Sequence, residues 1–214
     1  MVAGLRPLLL PRARFFWQKA VQFIPPDYFR KLEKPEVFPR QPRPLEIDLG
    51  CGDGSFPAAM AGHYPERDFL GIERLLGRAR KVYRKACKAD LENLKILRLE
   101  ISYALDWLLP DSCASRIHLL FPDPWPKKKH HKRRLVTHDF CAAIRRVLES
   151  GGEFLFKTDD EEYFEESMGV LVNEDSLQQL PWEEDAFFYP QTDFERRWLG
   201  QGKPIQSARF KAID

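Results

Sequence analysis

From residue 45 onward the apolar residues come in two alternating rhythms. Five short runs, "LEIDLG", "DFLGIE", "LKILRLE", "RIHLLF" and "EFLFKT", are separated by helix-length stretches such as "LLGRARKVYRKACKADL" and "THDFCAAIRRVLES". Strands alternating with helices in this way predict a parallel sheet covered by helices on both faces, a doubly wound α/β architecture. Thr137 and Asp139 stand where a helix over 137–150 opens, and Gly151 and Gly152 are expected to close it before the next strand. The last stretch, "QTDFERRWLGQGKPIQSARFKAID", predicts a glycine-containing loop and a final strand over "IQSARFKA", added to the sheet edge as a late antiparallel hairpin. Residues 1–44 are rich in Arg, Lys and Pro and show periodicity only in "ARFFWQKAVQFI". They are expected to form a basic arm with one short helix, ahead of a single domain over 45–214. In that helix Phe15, Phe16 and Trp17 are expected to pack against the domain rather than stack on a base.

With 214 residues, 43% of them hydrophobic, the chain has enough material for one full core. A net charge of +2 gives no bias toward a polyanion, but the charges are segregated. Six of the eight residues from Lys127 to Arg134 are Lys or Arg, answered by Asp159, Asp160, Glu161, Glu162, Glu165 and Glu166. Such segregation produces a local field that the net charge hides. Cysteines 51, 87, 113 and 141 form no C-x-x-C pair and no metal-like spacing with the histidines, so neither a disulfide framework nor a metal site is expected. The opening "MVAGLRPLLLPRAR" is too short an apolar run for a signal sequence or a membrane span, and a cytoplasmic address is expected.

Gly50, Gly52 and Gly54 follow the first apolar run and precede the helix-forming "SFPAAMAGHY". Glycines there let the backbone turn tightly and approach a ligand at a helix N-terminus, whose unpaired N–H groups point outward. The dinucleotide fingerprint wants glycines at the first, third and sixth places, whereas here Ser55 is sixth and the last glycine is fifth. Asp53 in the turn and Glu46 before it would repel phosphates and suit a cationic ligand. The second run ends in Glu73, where a carboxylate accepts hydrogen bonds from both ribose hydroxyls. A ribose with a cationic amino-acid tail and no phosphate describes S-adenosylmethionine. The alternatives are a simple tight turn for the glycines and a helix cap for Glu73; their occurrence together on consecutive strands favours the cofactor. Glu100, at the end of the third run, is placed either on the adenine side of the same crevice or in solvent.

The fourth run delivers Phe121 and Asp123 to the same carboxyl edge, where ligands bind in such sheets. Prolines at 122, 124 and 126 fix φ and stiffen the loop, so the Asp123 carboxylate is aimed. The basic block begins four residues later. Whatever reaches Asp123 passes Lys127 and its neighbours, which suits a nucleic acid whose phosphates they would neutralise.

This stretch, "FPDPWPKKKHHKRRL", followed in order by "FKTDDEEYF" and "TDFERRWLGQGKPI", resembles the signature of the bacterial tRNA (guanine-N7)-methyltransferases, over about residues 45–212. The resemblance implies a Rossmann-like class I methyltransferase sheet, mostly parallel with a late antiparallel strand. It implies methyl transfer from S-adenosylmethionine to the variable-loop guanine of tRNA, nucleotide 46. Glu46, Glu73, Glu100 and Asp123 are then cofactor contacts along with the glycine turn, and Asp123 is also the catalytic residue. Lys127, Asp159 and the Thr192, Asp193, Phe194, Glu195 stretch are implied substrate contacts, while Lys129, His130, His131, Lys132, Arg133 and Arg134 face the RNA. The implied partner is tRNA, with no membrane and no metal; monomer and homodimer both stay open. Glu100 and Ile101 depart from the family's usual Asp or Asn followed by Ala, and Pro126 is not universal in the loop.

Guanine N7 carries an in-plane lone pair and no proton, so its methylation needs no general base, and Asp123 is expected to orient and stabilise charge. Asp159 and Glu195 would read the donor N1–H and N2–H₂ edge. For Asp160, Glu162 and Glu165 the expected role is a favourable helix N-terminus. N7 faces the deep major groove of A-form RNA, so the target base is expected in a loop or splayed out. Rival readings are a class I methyltransferase acting on protein or a small molecule, a non-catalytic RNA-binding domain and, with the wrong glycine spacing, a nicotinamide oxidoreductase.

Overall fold

In the computed structural model, which describes residues 21–40, 42–183 and 186–214, the five apolar runs form the centre of an eight-stranded sheet. Its strands are β1 (Gln22–Phe23), β2 (Leu45–Leu49), β3 (Asp68–Ile72), β4 (Leu94–Leu97), β5 (Ala114–Leu120), β6 (Leu148–Thr158), β7 (Leu177–Leu180) and β8 (Gln206–Ala212). Their spatial order is β1-β4-β3-β2-β5-β6-β8-β7. The strands from β1 to β6 pair in parallel, while β8 runs antiparallel to both β6 and β7. The antiparallel strand is where the sequence predicts it, and β7 and β8 pair antiparallel at the sheet edge. β8 slots between β6 and β7, and a long connection separates it from β7.

Strands β2 and β3 are buried at every position, the pattern of strands covered on both faces. One face carries α2 (Ser55–His63) and α3 (Leu76–Lys88), following the short α1 (Lys34–Val37) in the chain. Phe56, Met60, Ala79, Val82 and Ala86 pack there on Phe69, Leu94 and Ile96. The other face carries α4 (Ile101–Tyr103, continued as a π-helix to Leu108), α5 (His138–Val147) and α6 (Glu161–Leu171), over a core that includes Ile47, Leu70, Ile117, Phe154 and Phe210.

Two boundaries differ from the sequence reading. Phe23, Leu32, Val37 and Phe38 are buried in the main core and β1 pairs with β4, so the chain is built into the domain from residue 21. Phe15, Phe16 and Trp17 lie outside the described residues. Thr137 does cap α5, its Oγ1 accepting from the Phe140 N–H at 3.2 Å, but the helix ends at Val147 and β6 begins at the next residue. Gly151 and Gly152 instead make a bulge in β6, where the pairing jumps from Ala114↔Leu148 to Arg116↔Glu153. Gly151 has φ +76°, and a Cβ on Gly152 would sit 2.9 Å from the Glu149 carbonyl oxygen.

Beyond α2 the same face of β5, β6 and β8 is charged, with Arg116, His118, Glu153, Lys157 and Arg209. Trp182, Phe187 and Tyr189 cover it instead of a helix. Phe187 lies 4.2 Å from the Arg116 guanidinium, Tyr189 donates to or accepts from His118 Nδ1 at 3.0 Å, and Trp182 lies 4.9 Å from Lys157 Nζ. This aromatic strap leads into α7 (Asp193–Leu199) and sets it beside the carboxyl ends of β2 and β5.

Candidate active site

A cleft of about 620 Å³ opens at that edge, between the glycine turn after β2 and the proline-rich loop after β5. The turn runs through Gly50, Gly52 and Gly54 at φ +76°, +57° and +77°. Gly54 precedes α2, and a Cβ there would lie 2.7 Å from Val82 Cγ2 of α3. The third glycine therefore falls at the fifth place because two helices meet over it. Asp53 faces Lys85 Nζ at 2.5 Å and accepts from the Ser55 N–H at 3.1 Å, which holds its carboxyl below the ordinary range against the opposing effect of partial burial.

The structure does not bring Glu46 to this cleft. Its carboxylate is buried two residues further back along β2, 2.9 Å from His118 Nε2, 3.0 Å from Arg67 Nη1 and 3.4 Å from Arg116 Nη1. Burial opposes its charge, but His118, Arg116 and Arg67 together hold its pKa below the ordinary value. A carboxylate only accepts, so Nε2 of His118 donates to it; burial holds the imidazole pKa below its ordinary value, and in the neutral ring Nδ1 accepts from the Tyr189 hydroxyl. The residue that does line the cleft is Asp48, two positions on and on the same face. Burial, reinforced by the nearby Glu73 carboxylate, pushes its pKa up to about 8. No cation is paired with it among the described residues. Glu73 is buried just behind the cleft at the end of β3 and is not on its lining; it accepts from the Leu75 N–H at 2.7 Å, with Arg78 Nη1 at 3.9 Å. Glu100 is exposed and caps α4, accepting from the Tyr103 N–H at 3.0 Å, and does not line the cleft.

Asp123 lines the opposite wall. Its Oδ1 accepts from the Trp125 N–H at 3.1 Å, an Asx turn that fixes the carboxylate. The loop is entered at Phe121 (φ +53°) and bent at Trp125 (φ +47°), conformations that cost non-glycine residues roughly 1–3 kcal/mol each. Surrounding contacts hold them: the Phe121 N–H donates to the Lys157 carbonyl at 2.8 Å, and Arg134 Nε donates to the Pro124 carbonyl at 2.9 Å.

Arg134 is thus a correction to the expected RNA surface. It is buried, ion-paired with Glu166, and its guanidinium lies 5.2 Å from the Tyr163 ring. The rest of the block is a 3-10 turn over Lys128–Arg133. Lys127, Lys129, Lys132 and Arg133 are exposed, Arg133 lying over Trp125 at 4.8 Å; His130 meets the edge of Trp125, and His131 is half-buried, 3.8 Å from Glu162. We expect Arg134→Ala to lower thermal stability while leaving the salt dependence of RNA binding unchanged. Replacing Lys129, Lys132 and Arg133 together should do the reverse, flattening the slope of log K against log salt by up to about 0.9 per lost contact. Melts and salt titrations of the two variants distinguish them.

The third wall is α7. Thr192 caps it, accepting from the Glu195 N–H at 3.0 Å, so Asp193 and Phe194 project into the cleft beside Asp159. Phe194 stacks on Phe121 with ring centroids 6.4 Å apart. Asp193 pairs with Arg196, and Asp159 lies 3.8 Å from Lys203. Glu195 is buried against Lys157 Nζ at 2.6 Å, its Oε2 lacking a partner among the described residues, and it is not on the cleft lining. Lys127 is likewise outside the lining. Asp160 caps α6, accepting from the Tyr163 N–H at 2.8 Å, as a favourable helix N-terminus requires.

Residues 42–208 match the profile of a family described as "Putative methyltransferase". The chain is also 38% identical over 192 residues to an Acinetobacter baylyi protein named tRNA (guanine-N(7)-)-methyltransferase, covering 87% of this chain and 75% of that one. The chain belongs to this methyltransferase family. A Thermotoga maritima protein of the same name is 32% identical over 172 residues; the match takes in 80% of this chain and 55% of that one. Among solved structures, the 16S rRNA methyltransferase KamB superposes with a TM-score of 0.59 at 19% identity, covering 86% of this chain and 96% of that one, which shows the shared fold.

In this methyltransferase the cleft also takes Arg78 and Lys81 from α3 and Trp198 from α7, none of which the motifs singled out. Asp48 was within reach of the sequence, because it shares a face with Glu46 and stands nearer the glycine turn. Gly54→Ala should destabilise the protein by about 2–4 kcal/mol, combining a left-handed φ with overlap on Val82. Denaturant unfolding checks this, and Val82→Ala in the same chain should recover the overlap part. Among the described residues no group of His, Cys, Asp or Glu is arranged to hold a metal, and no helix is long and apolar enough to cross a membrane.

Proposed function

We propose that the chain transfers a methyl group from S-adenosylmethionine to N7 of a guanine in tRNA, the variable-loop nucleotide 46, giving 7-methylguanosine in the cytoplasm, where that substrate occurs. The observation that carries the reading is one cleft joining an unpaired buried carboxylate, a glycine turn and the fixed Asp123. The donor set suits the cofactor: Asp48 lacks a counter-charge and a bound cation would supply it, the turn brings backbone close, and Glu73, behind the lining at the end of β3, would offer a ribose its carboxylate once the side chain turns toward the cleft. When bound, S-adenosylmethionine supplies a methyl group on a positively charged sulfur.

The protein's own part is placement and charge. Asp123 stands across from the glycine turn, so a base inserted between them has a fixed carboxylate beside it as it becomes cationic, a preorganised partner that needs no reorganisation when the charge arrives. Asp193, Asp159 and Thr192 supply polar groups to the base, Phe121 and Phe194 an aromatic wall. Holding the reacting atoms in line replaces roughly 7–11 kcal/mol of association entropy in well-oriented systems. No side chain has to remove a proton. The test is transfer of a labelled methyl from S-adenosylmethionine to unmodified tRNA, with the product mapped by reverse-transcription stops. Label in protein or small molecules and none in tRNA would overturn the reading.

A further inference from the structure

Helix α3 carries Arg78, Arg80, Lys81, Arg84, Lys85 and Lys88 and no acidic residue. An ordinary solvated helix places acids in its first turn and opposite charges four residues apart. Here the first two turns hold three cations against the positive end of the helix dipole, and Arg80, Arg84 and Lys88 repeat like charge at i, i+4. This arrangement costs stability, and packing does not require it: only Ala79, Val82 and Ala86 are buried. Two of the cations turn inward, Arg78 toward Glu73 and Lys85 toward Asp53. The others, Arg80, Lys81, Arg84 and Lys88, are exposed and have no ion-pair partner among the described residues.

The strand order fixes where this stripe lies. α3 follows β3 on one side of β2, and the basic 3-10 turn follows β5 on the other. The cleft lies between them, with Lys81 on its α3 rim and Pro124 on the other. We propose that the outer face of α3, the stripe Arg80, Arg84 and Lys88 that runs from the cleft edge back along the sheet toward the start of β4, is a second phosphate-binding surface, so that the RNA crosses the cleft from the basic 3-10 turn and continues down the α3 flank. The stripe is about 12 Å long at 1.5 Å per residue. A strand bound on both rims presents its intervening nucleotide to the cleft, where a single-rim contact would leave it free to swing. The proposal rests on the tRNA reading above.

The test is the triple variant Arg80→Ala, Arg84→Ala, Lys88→Ala, with Lys81 kept because it lines the cleft. At about 0.15 M salt its tRNA affinity should fall roughly tenfold, and the log K against log salt slope should flatten by about 0.7–0.9 per phosphate lost. S-adenosylmethionine affinity should stay within twofold, kcat at saturating tRNA should hold while KM rises, and Arg80→Lys, Arg84→Lys should bind as wild type. Removing like-charge repulsion should not lower the melting temperature. Unchanged affinity and slope in the triple variant, with wild type binding and methylating tRNA normally, would overturn the second surface and leave the function standing. Wild-type protein that neither binds nor methylates tRNA would instead overturn the function, and this surface with it.

Discussion

Asp123→Ala should lower single-turnover methyl transfer by at least about a hundredfold, the scale seen when one preorganised electrostatic partner is removed from a reacting centre, and should leave tRNA affinity within a few-fold. Affinity should survive because, on the proposed reading, it would come from phosphate contacts on the exposed lysines and arginines, which carry no catalytic charge. Rate should fall because the carboxylate is fixed by the Trp125 N–H in a loop clamped by Arg134, and among the described residues Asp123 is the one acid that the proline-rich loop brings to the cleft. Asp123→Asn is the sharper variant, since it keeps the shape and loses the charge. A rate close to wild type in Asp123→Asn with saturating cofactor would limit Asp123 to positioning; near-wild-type rate in Asp123→Ala would remove it from the mechanism.

The central strands were legible because a strand buried on both faces writes itself as an unbroken apolar run, as in "DFLGI" of β3. β7 was not. "LQQL" is an edge strand with Leu177 buried and both glutamines exposed, and four residues with two leucines carry no signal above a loop. Glu46 and Asp48 show the limit at the site. Alternation places both carboxylates on one face, but which one meets the ligand depends on how far each stands from the carboxyl edge, and roughly 6–7 Å of strand separates them. Glu46 belongs instead to a network with partners at 67, 116 and 118, invisible to any local pattern.

The same holds for the basic block. Within "KKKHHKRR" every cation looks alike, yet Arg134 is buried because Pro124 and Glu166, ten and 32 residues away, meet it in the fold. The acidic stretch 159–166 was rightly read as its counterpart in charge, but part of that complementarity is spent inside the protein and clamps the loop. Conversely α3 was read only as a helix. Its charge pattern becomes informative once β3 and β5 are known to flank β2.

Asp48→Asn should weaken S-adenosylmethionine binding and strengthen the ligand-free protein, with opposite signs in one substitution. Loss of a charged acceptor for a cationic ligand costs about 1.5–3 kcal/mol, about ten- to a hundredfold in the dissociation constant. The stability change follows from the buried carboxyl. Its pKa is pushed from the ordinary Asp range near 4 when unfolded up to about 8 when folded, because burial and the Glu73 carboxylate both oppose its charge. Between those values the folded protein holds a proton that the unfolded chain has released, so this group's stability is fully present below about pH 4 and is lost as pH rises through about 8. Asparagine has no proton to lose. The variant's advantage over wild type should therefore grow with pH, by up to ~1.4 kcal/mol for each unit between about 4 and 8, and level off above. Melting temperatures of both proteins without ligand at pH 5 and pH 8 measure it, and parallel shifts would show that Asp48 is not strained by burial. The same titration makes cofactor binding proton-linked: a cation that ionises Asp48 expels its proton, so wild-type affinity should rise with pH up to about 8 while the Asp48→Asn affinity stays flat.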